Sequence, residues 1–311
     1  RAFRRAAEAV EGVDRDRLEA LYAARRLKEL DGVGDTTAGI IAEVMDGRQP
    51  AYLAELEADP TPKVSEAAAA YLAALQGDCH SHSDWSDGGS DIRTMAEAAA
   101  ALGHRYFALT DHSPRLTVAH GLDAGRLAAQ LRVVERLNEE MAPFRILTGI
   151  EVDILEDGSL DQDAGLLADL DVVVASVHSK LSMESPQMTH RMLAAVESTH
   201  VDILGHCTGR KIVGRGRKAS TFDAARVFRA CADTGTAVEI NSRPERRDPP
   251  RELLQLAVDS GCLFSIDTDA HAPGQLEWQY LGCEQAAEAA VPVERVVNTW
   301  PADRLLAWTG R

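Results

Sequence analysis

The chain has 311 residues, 45% hydrophobic and 26% charged, with a formal net charge of −16. That length holds one large domain, or a medium domain with a small companion. No apolar run approaches a membrane span, and the acidic balance restricts any nucleic-acid role to local basic patches.

In chain order, residues 1–76 read as a helical domain. Residues 1–13 and 15–30 are rich in Ala, Leu, Glu and Arg at helix-like apolar spacing. Gly32-Val33-Gly34 then forms a hairpin, with Thr or Asp capping a further helix through Val44. Glycines at such a turn supply backbone geometry and can also present N–H groups to a phosphate. Residues 1–50 carry nine basic and ten acidic side chains, a balance that does not favour tight DNA binding. The run Asp59-Pro60-Thr61-Pro62 breaks the chain, another helix follows over 64–75, and Gly77 hands over to a different pattern.

From 77 to 311 short apolar runs alternate with longer amphipathic ones. Strands are predicted at 78–82, 105–110, 145–151, 171–177, 201–205, 237–241 and 263–268. Helices are predicted near 92–103, 123–142, 187–198, 220–235 and 250–260. This alternation implies a parallel α/β sheet closed as a seven-unit barrel, with a doubly wound open sheet as the alternative. Five cysteines (Cys79, Cys207, Cys231, Cys262, Cys283) are scattered without a CxxC pair, which argues for a reducing, cytoplasmic setting. Nothing resembles a signal peptide, and Arg1 in place of Met leaves a trimmed leader open.

The strand ends carry the chemistry. The first ends in His80 and His82, whose i, i+2 spacing puts both rings on one face; Asp87 lies beyond the turn Ser86-Asp87-Gly88. The second ends in Asp111-His112 and the third in Glu151-Val152-Asp153. The fourth ends in His178, the fifth in His206, the sixth in Glu239-Ile240-Asn241, and the seventh in Asp269-Ala270-His271. Six of the ten histidines occupy these positions, and in parallel α/β folds such ends converge on one mouth. His104, His190 and His200 fall at helix-like positions and read as structural, while His120 sits in a loop that could cover the mouth.

Residues 77–272 resemble the polymerase and histidinol phosphatase (PHP) superfamily. The matches are HxH at His80 and His82, Asp87 after the turn, TDH at His112, and Glu151. Lone histidines follow at His178 and His206, with a terminal DxH at Asp269 and His271. The resemblance implies a distorted seven-stranded βα barrel with these nine residues as metal ligands, Glu151 bridging. Residues 1–76 resemble a helix-hairpin-helix module, which implies DNA contact through Gly32-Val33-Gly34. That domain order is similar to pieces of bacterial family X DNA polymerases, but the chain has no room for a polymerase palm and fingers.

Mixed imidazole and carboxylate ligands suit Zn²⁺, Mn²⁺ or Fe²⁺, and nine ligands are enough for two or three ions. The expected chemistry is hydrolysis of a phosphorylated substrate by a bridging hydroxide. Lys180, Arg210 and Arg243, each shortly after a strand end, are candidate phosphate partners. Asp111 and Asp153 are candidates to orient an imidazole or a metal-bound water. Glu239 and Asn241 could do the same or bind substrate, and His271 could also act as leaving-group acid. The leading expectation is a phosphoesterase acting on DNA 3′ ends, as exonuclease or phosphatase. The rivals are a small-molecule phosphomonoesterase of the histidinol phosphatase kind and a catalytically silent DNA-binding module.

Overall fold

A computed structural model of the chain describes residues 2–58, 64–214 and 216–310. The chain divides into two units, with the division between residues 63 and 64.

The first unit is all-helical among its described residues: α1 (Ala2–Glu11), α2 (Arg15–Ala23), α3 (Asp35–Met45) and α4 (Ala51–Ala58). Asp14 caps α2 by accepting from the Arg17 amide at 2.9 Å. This helix stops short of the expected residue 30, because Arg25 takes a left-handed φ of 57° and a 3₁₀ turn, Leu27–Glu29, follows. Gly32 also has a positive φ, 84°, and a Cβ there would lie 2.9 Å from Arg5 Cβ, so the hairpin requires glycine twice over. Thr37 Oγ1 accepts from the Gly34 amide at 2.9 Å to start α3. Ala6, Leu30 and Val33 form this unit's small buried core. The expected break at 59–62 lies outside the described residues, and α4 was not foreseen.

The second unit begins with α5 (Glu66–Ala74), so the division falls earlier than the expected boundary at 76. The reason is packing. The amide and hydroxyl of Ser65 donate to Glu284 at 2.6 and 2.8 Å, and Ala68, Tyr71 and Leu75 belong to the barrel's buried core.

Seven parallel strands follow in sequential order: β1 (Gly77–Ser81), β2 (Tyr106–Leu109), β3 (Arg145–Asp153), β4 (Val172–Ser176), β5 (Ile203–Leu204), β6 (Ala237–Asn241) and β7 (Phe264–Asp267). Between and after them run α6 (Ile92–Ala101), α7 (Ala124–Met141), α8 (Ala164–Ala168), α9 (Ser185–Val196), α10 (Ala224–Thr234), α11 (Arg251–Asp259), α12 (Gln279–Glu288) and α13 (Ala302–Thr309). Aspartates start four of them: Asp91, Asp123, Asp163 and Asp223 each accept a first-turn amide. Helices α8, α12 and α13 were not foreseen.

The sheet is a nearly closed, distorted barrel, as expected. Its seam is unusual in using side chains. Cys79 N donates to Asp267 Oδ1 at 2.8 Å and Thr268 N to Asp78 Oδ2 at 3.3 Å, while His82 N reaches Ala270 O at 2.8 Å. The Asn298 side chain pairs with Ile266 as a strand would, accepting at 2.7 Å and donating at 3.0 Å. Burial and the neighbouring Asp267 push Asp78 well above the usual carboxyl range, and burial with Glu239 lifts Asp267 to about 6.

Strand alternation then decides what each level of the barrel contains. Near the N-terminal strand ends, Tyr106, Leu147, Val172, Ile203 and Ala237 pack with Trp300 and Leu305 in one buried cluster. Further up the same strand faces come Glu151, Glu239 and Asn241. The opposite faces, with Phe107, Val173, Val238 and Ile266, pack against the helices.

Candidate metal centre

Glu151 is the hub. β3 and β4 close tightly just below it, since a Cβ on Gly149 would lie 2.7 Å from Val172 O. Its Oε2 lies 2.8 Å from His112 Nδ1, 3.4 Å from His80 Nε2 and 3.6 Å from His82 Nε2. Its Oε1 lies 2.9 Å from His206 Nε2 and 3.2 Å from His178 Nε2. Five imidazoles, delivered by four different strands, thus meet one carboxylate.

Asp87 and Asp269 extend the cluster. Asp87 Oδ1 is 3.2 Å from His271 Nε2 and 3.5 Å from His112 Nε2, and Asp269 Oδ1 is 3.5 Å from His82 Nε2. His80 and His82 share a face as their spacing required, with Nε2 atoms 3.2 Å apart. The β1–β2 ladder slips between Asp78 and Ser81, where the ligand set begins. Three overlapping groups have potential ligand atoms within 4.8 Å of one another: His82, Asp87, His112 and His271; His80, His82 and Asp269; His112, Glu151 and His178.

These groups fit metal ions on a property of their own. His82 Nδ1 and His206 Nδ1 are buried without a hydrogen-bond partner, and His112 Nδ1, both ring nitrogens of His178 and Glu151 Oε2 meet their neighbours at ion-pair distance without hydrogen-bond geometry. Leaving one such atom unpaired costs about 1–3 kcal/mol, and a bound cation is what would satisfy several at once. Charge follows the same logic. Burial alone would raise Glu151, yet His178, His80 and His112 hold it well below the usual range. Burial opposes charge on His178 as well, but Glu151 and Asp153 lift it to about 9. His80 is also driven up, Glu239 and Glu151 outweighing burial, while burial, His271 and His112 push His82 down. Without metal, protons take the place of cations here, so metal binding must release them.

Orienting partners stand behind the ligands. Glu239 Oε1 lies 2.5 Å from His80 Nδ1, and its Oε2 accepts from Asn241 Nδ2 at 3.2 Å. Asp153 Oδ1 accepts from the His178 amide at 3.1 Å and lies 3.3 Å from its Nδ1. Such partners fix ring orientation.

The cationic expectations divide. Arg243 is at the centre, with Nη1 3.0 Å from both Asp269 Oδ1 and His271 Nδ1. Arg210 is not. Its guanidinium donates to the carbonyls of Arg246, at 3.0 Å, and Arg247, clamping the loop after β6 and lining a cavity with Arg247 and Arg251. Arg246, missed in the sequence, takes the place expected for it: its Nε is 3.0 Å from Asp269 Oδ2. Its spacing three residues beyond Arg243 in the same turn was the available signal. Lys180 is exposed, with a left-handed φ of 52°. Asp111 is corrected too. Its carboxylate accepts from Ser83 N at 2.8 Å, Ser83 Oγ at 2.6 Å, Gln130 Nε2 at 2.6 Å and Ser86 Oγ, so it fixes the loop that delivers Asp87. His120 is exposed in a left-handed turn, and burial pushes His104, away from the centre, down to about 4.

The chain is similar to known proteins in sequence and in fold. The chain is 30% identical over 243 residues to a probable phosphatase of Shewanella halifaxensis, covering 74% of this chain and 91% of that one. It is 41% identical over 227 residues to the DNA polymerase/3′-5′ exonuclease PolX of Bacillus subtilis, covering 73% of this chain but only 40% of that protein's length. In structure it matches a histidinol phosphate phosphatase of Lactococcus lactis, solved with zinc, L-histidinol and phosphate, at a TM-score of 0.52, 19% identity, 70% coverage of this chain and 95% of that one. Fold, ligand cluster and relatives together define a metal-dependent phosphoesterase. Residues 78–243 match the PHP domain, and the chain belongs to that family.

Proposed function

We propose that His80, His82, Asp87, His112, Glu151, His178, His206, Asp269 and His271 hold two or three divalent ions (Zn²⁺, Mn²⁺ or Fe²⁺), and that the centre removes phosphate from DNA 3′ ends. The observation that carries this is the convergence of five imidazoles on Glu151, with buried ligand atoms left unpaired and two arginines beside them. Bound divalent ions would activate water and stabilise charge on phosphate oxygens.

The chain's own residues do the rest. Glu239 and Asp153 hold His80 and His178 in orientation. Arg243 and Arg246 neutralise Asp269 and offer guanidinium N–H groups to phosphate oxygens. DNA as substrate is supported by the likeness to the Bacillus subtilis polymerase/exonuclease and by the Gly32-Val33-Gly34 hairpin. There the Val33 and Gly34 amides already donate, to Leu30 O and Thr37 Oγ1, so a phosphate would meet the first turn of α3 instead. A cytoplasmic setting fits five buried free cysteines, and no described helix is long and apolar enough to cross a membrane.

The second reading, a small-molecule phosphomonoesterase, is favoured by the net charge of −16 and by likeness over 91% of the length of a probable phosphatase. Phosphate release from a 3′-phosphorylated oligonucleotide, set against a panel of small phosphomonoesters, decides between them. We expect chelator-sensitive release from the oligonucleotide at the higher kcat/KM. Release from small esters alone would overturn the DNA reading.

A further inference from the structure

In an acidic chain, the loop after β5 runs the other way. Residues 210–218 carry five basic side chains (Arg210, Lys211, Arg215, Arg217, Lys218) and no acidic one. The loop folds as a hairpin: Lys211 and Arg217 exchange N–H···O bonds of 2.9 and 2.8 Å, with positive φ at Gly214 and Gly216 making the turn. Its base is clamped, since Ile212 N donates to Glu245 O at 2.7 Å and Arg217 Nε to Gly209 O at 2.6 Å. Beside that clamp the side chains of Ile212 and Val213 stand 51% and 52% exposed, two adjacent β-branched apolar groups among cations, Ile212 at the edge of the Arg210 cavity.

The hairpin springs from the strand that delivers His206 and is pinned to the loop carrying Arg243 and Arg246. Lys211 lies close enough to Arg246, Arg217 and Arg243 that burial and these like charges depress its pKa. Arg246 Nη1 is buried with no hydrogen-bond partner. Asp269 pairs with Arg243 and Arg246 but leaves that guanidinium N–H and the Lys211 ammonium available to a further anion. The exposed aliphatic pair adds something a small phosphate ester could not use. Proteins that separate or hold nucleic-acid strands combine phosphate-tracking cations with an apolar surface against the bases, aliphatic wedges included.

We propose that the 209–218 hairpin is a strand grip: it holds the frayed or single-stranded end of a nucleic acid, phosphates on Lys211 and Arg217 and a base against Ile212 and Val213. This rests on the DNA reading above and specifies that the end is presented as single strand. On this proposal a small phosphoester would need only the metal centre, not the apolar pair.

The test uses the full chain, as wild type, as I212S/V213S and as K211Q/R217Q. Binding of a fluorescent oligothymidylate bearing a 3′-phosphate is followed by anisotropy at several salt concentrations, with p-nitrophenyl phosphate turnover alongside. We expect I212S/V213S to weaken oligonucleotide binding about fivefold to a hundredfold, with p-nitrophenyl phosphate turnover within about twofold of wild type. K211Q/R217Q should reduce the slope of log K against log salt by about 0.7 for each cation removed. Unchanged oligonucleotide binding in both variants overturns the proposal. So does a parallel loss of small-ester turnover in I212S/V213S, which marks a folding role, or binding of anionic phospholipid vesicles with none of the oligonucleotide. Wild type that binds the oligonucleotide but releases no phosphate sinks the substrate reading, while the variants' binding still judges the grip.

Discussion

The lower and upper halves of the barrel interior are built from the same strand faces and do opposite things. Below, Tyr106, Leu147, Val172, Ile203 and Ala237 bury apolar surface against Trp300 and Leu305. Above, the same alternation brings in Glu151, Glu239 and Asn241, among imidazoles buried with atoms unpaired. The lower half stabilises the fold and does no chemistry. The upper half holds charges that burial disfavours, at a cost the lower half must offset. Stability and reactivity are separated along one axis, and substitutions at the two levels should separate them too.

The largest effect should come from the hub. Glu151→Gln removes the carboxylate shared by five imidazoles, and we expect phosphatase activity to fall by about 10²–10³-fold, comparable to losing a key electrostatic group. Metal content by mass spectrometry should fall with it, and an unchanged metal content would show that Glu151 does not organise the centre. In the lower half, Leu147→Ala should cost about 2–5 kcal/mol of stability in urea unfolding, with kcat at saturating metal little changed. A large drop in kcat at full metal loading would break the separation.

Between these extremes stand the orienting groups. Glu239→Gln leaves a hydrogen-bond acceptor beside His80 but removes the charge, and should weaken metal affinity about 10–100-fold, read by competition with a chelating dye. Loss of folding instead would make Glu239 a structural residue. Stripping metal should lower the melting temperature of wild type, because ions that bind only the folded state add stability with concentration. The apo and loaded forms of Glu151→Gln should melt closer together.

The smallest effect sharpens the contrast between histidines. His104, at the turn into β2, is held near 4 by burial alone, against an ordinary 6.5. The folded chain therefore binds fewer protons there than the unfolded chain between those values. Stability from this group is present above about pH 6.5 and lost as the pH falls towards about 4. His104→Gln should flatten the metal-free protein's stability profile over that window, and an unchanged profile would show that His104 is not the source of this loss.

Much of this was legible in the sequence, for identifiable reasons. Strand ends in a parallel barrel converge, so each ionisable residue closing an apolar run could be assigned to the mouth without knowing the fold in detail. The seven strands were readable because the runs are short and bounded. What escaped was whatever depends on where a long side chain turns. Arg210 and Arg246 both follow ligand strands closely, and only the loop's path decides that one clamps carbonyls while the other grips Asp269. Asp111 adjoins a ligand, yet its parity aims it at Ser83 and Gln130. The boundary at 63/64 was hidden because α5 reads as one more Ala-rich helix, and its pairing with Glu284 spans most of the chain.

The seam between β1 and β7 carries a consequence for how the molecule comes into being. His80 and His82 lie 189 residues before Asp269 and His271 in the chain, and they meet across the join made by Asp78, Asp267 and Asn298. A chain whose β7 has not docked on β1 therefore holds only part of the proposed ligand set, however well its first strands have paired. High-affinity metal uptake should then report closure of the barrel rather than pairing of its first strands.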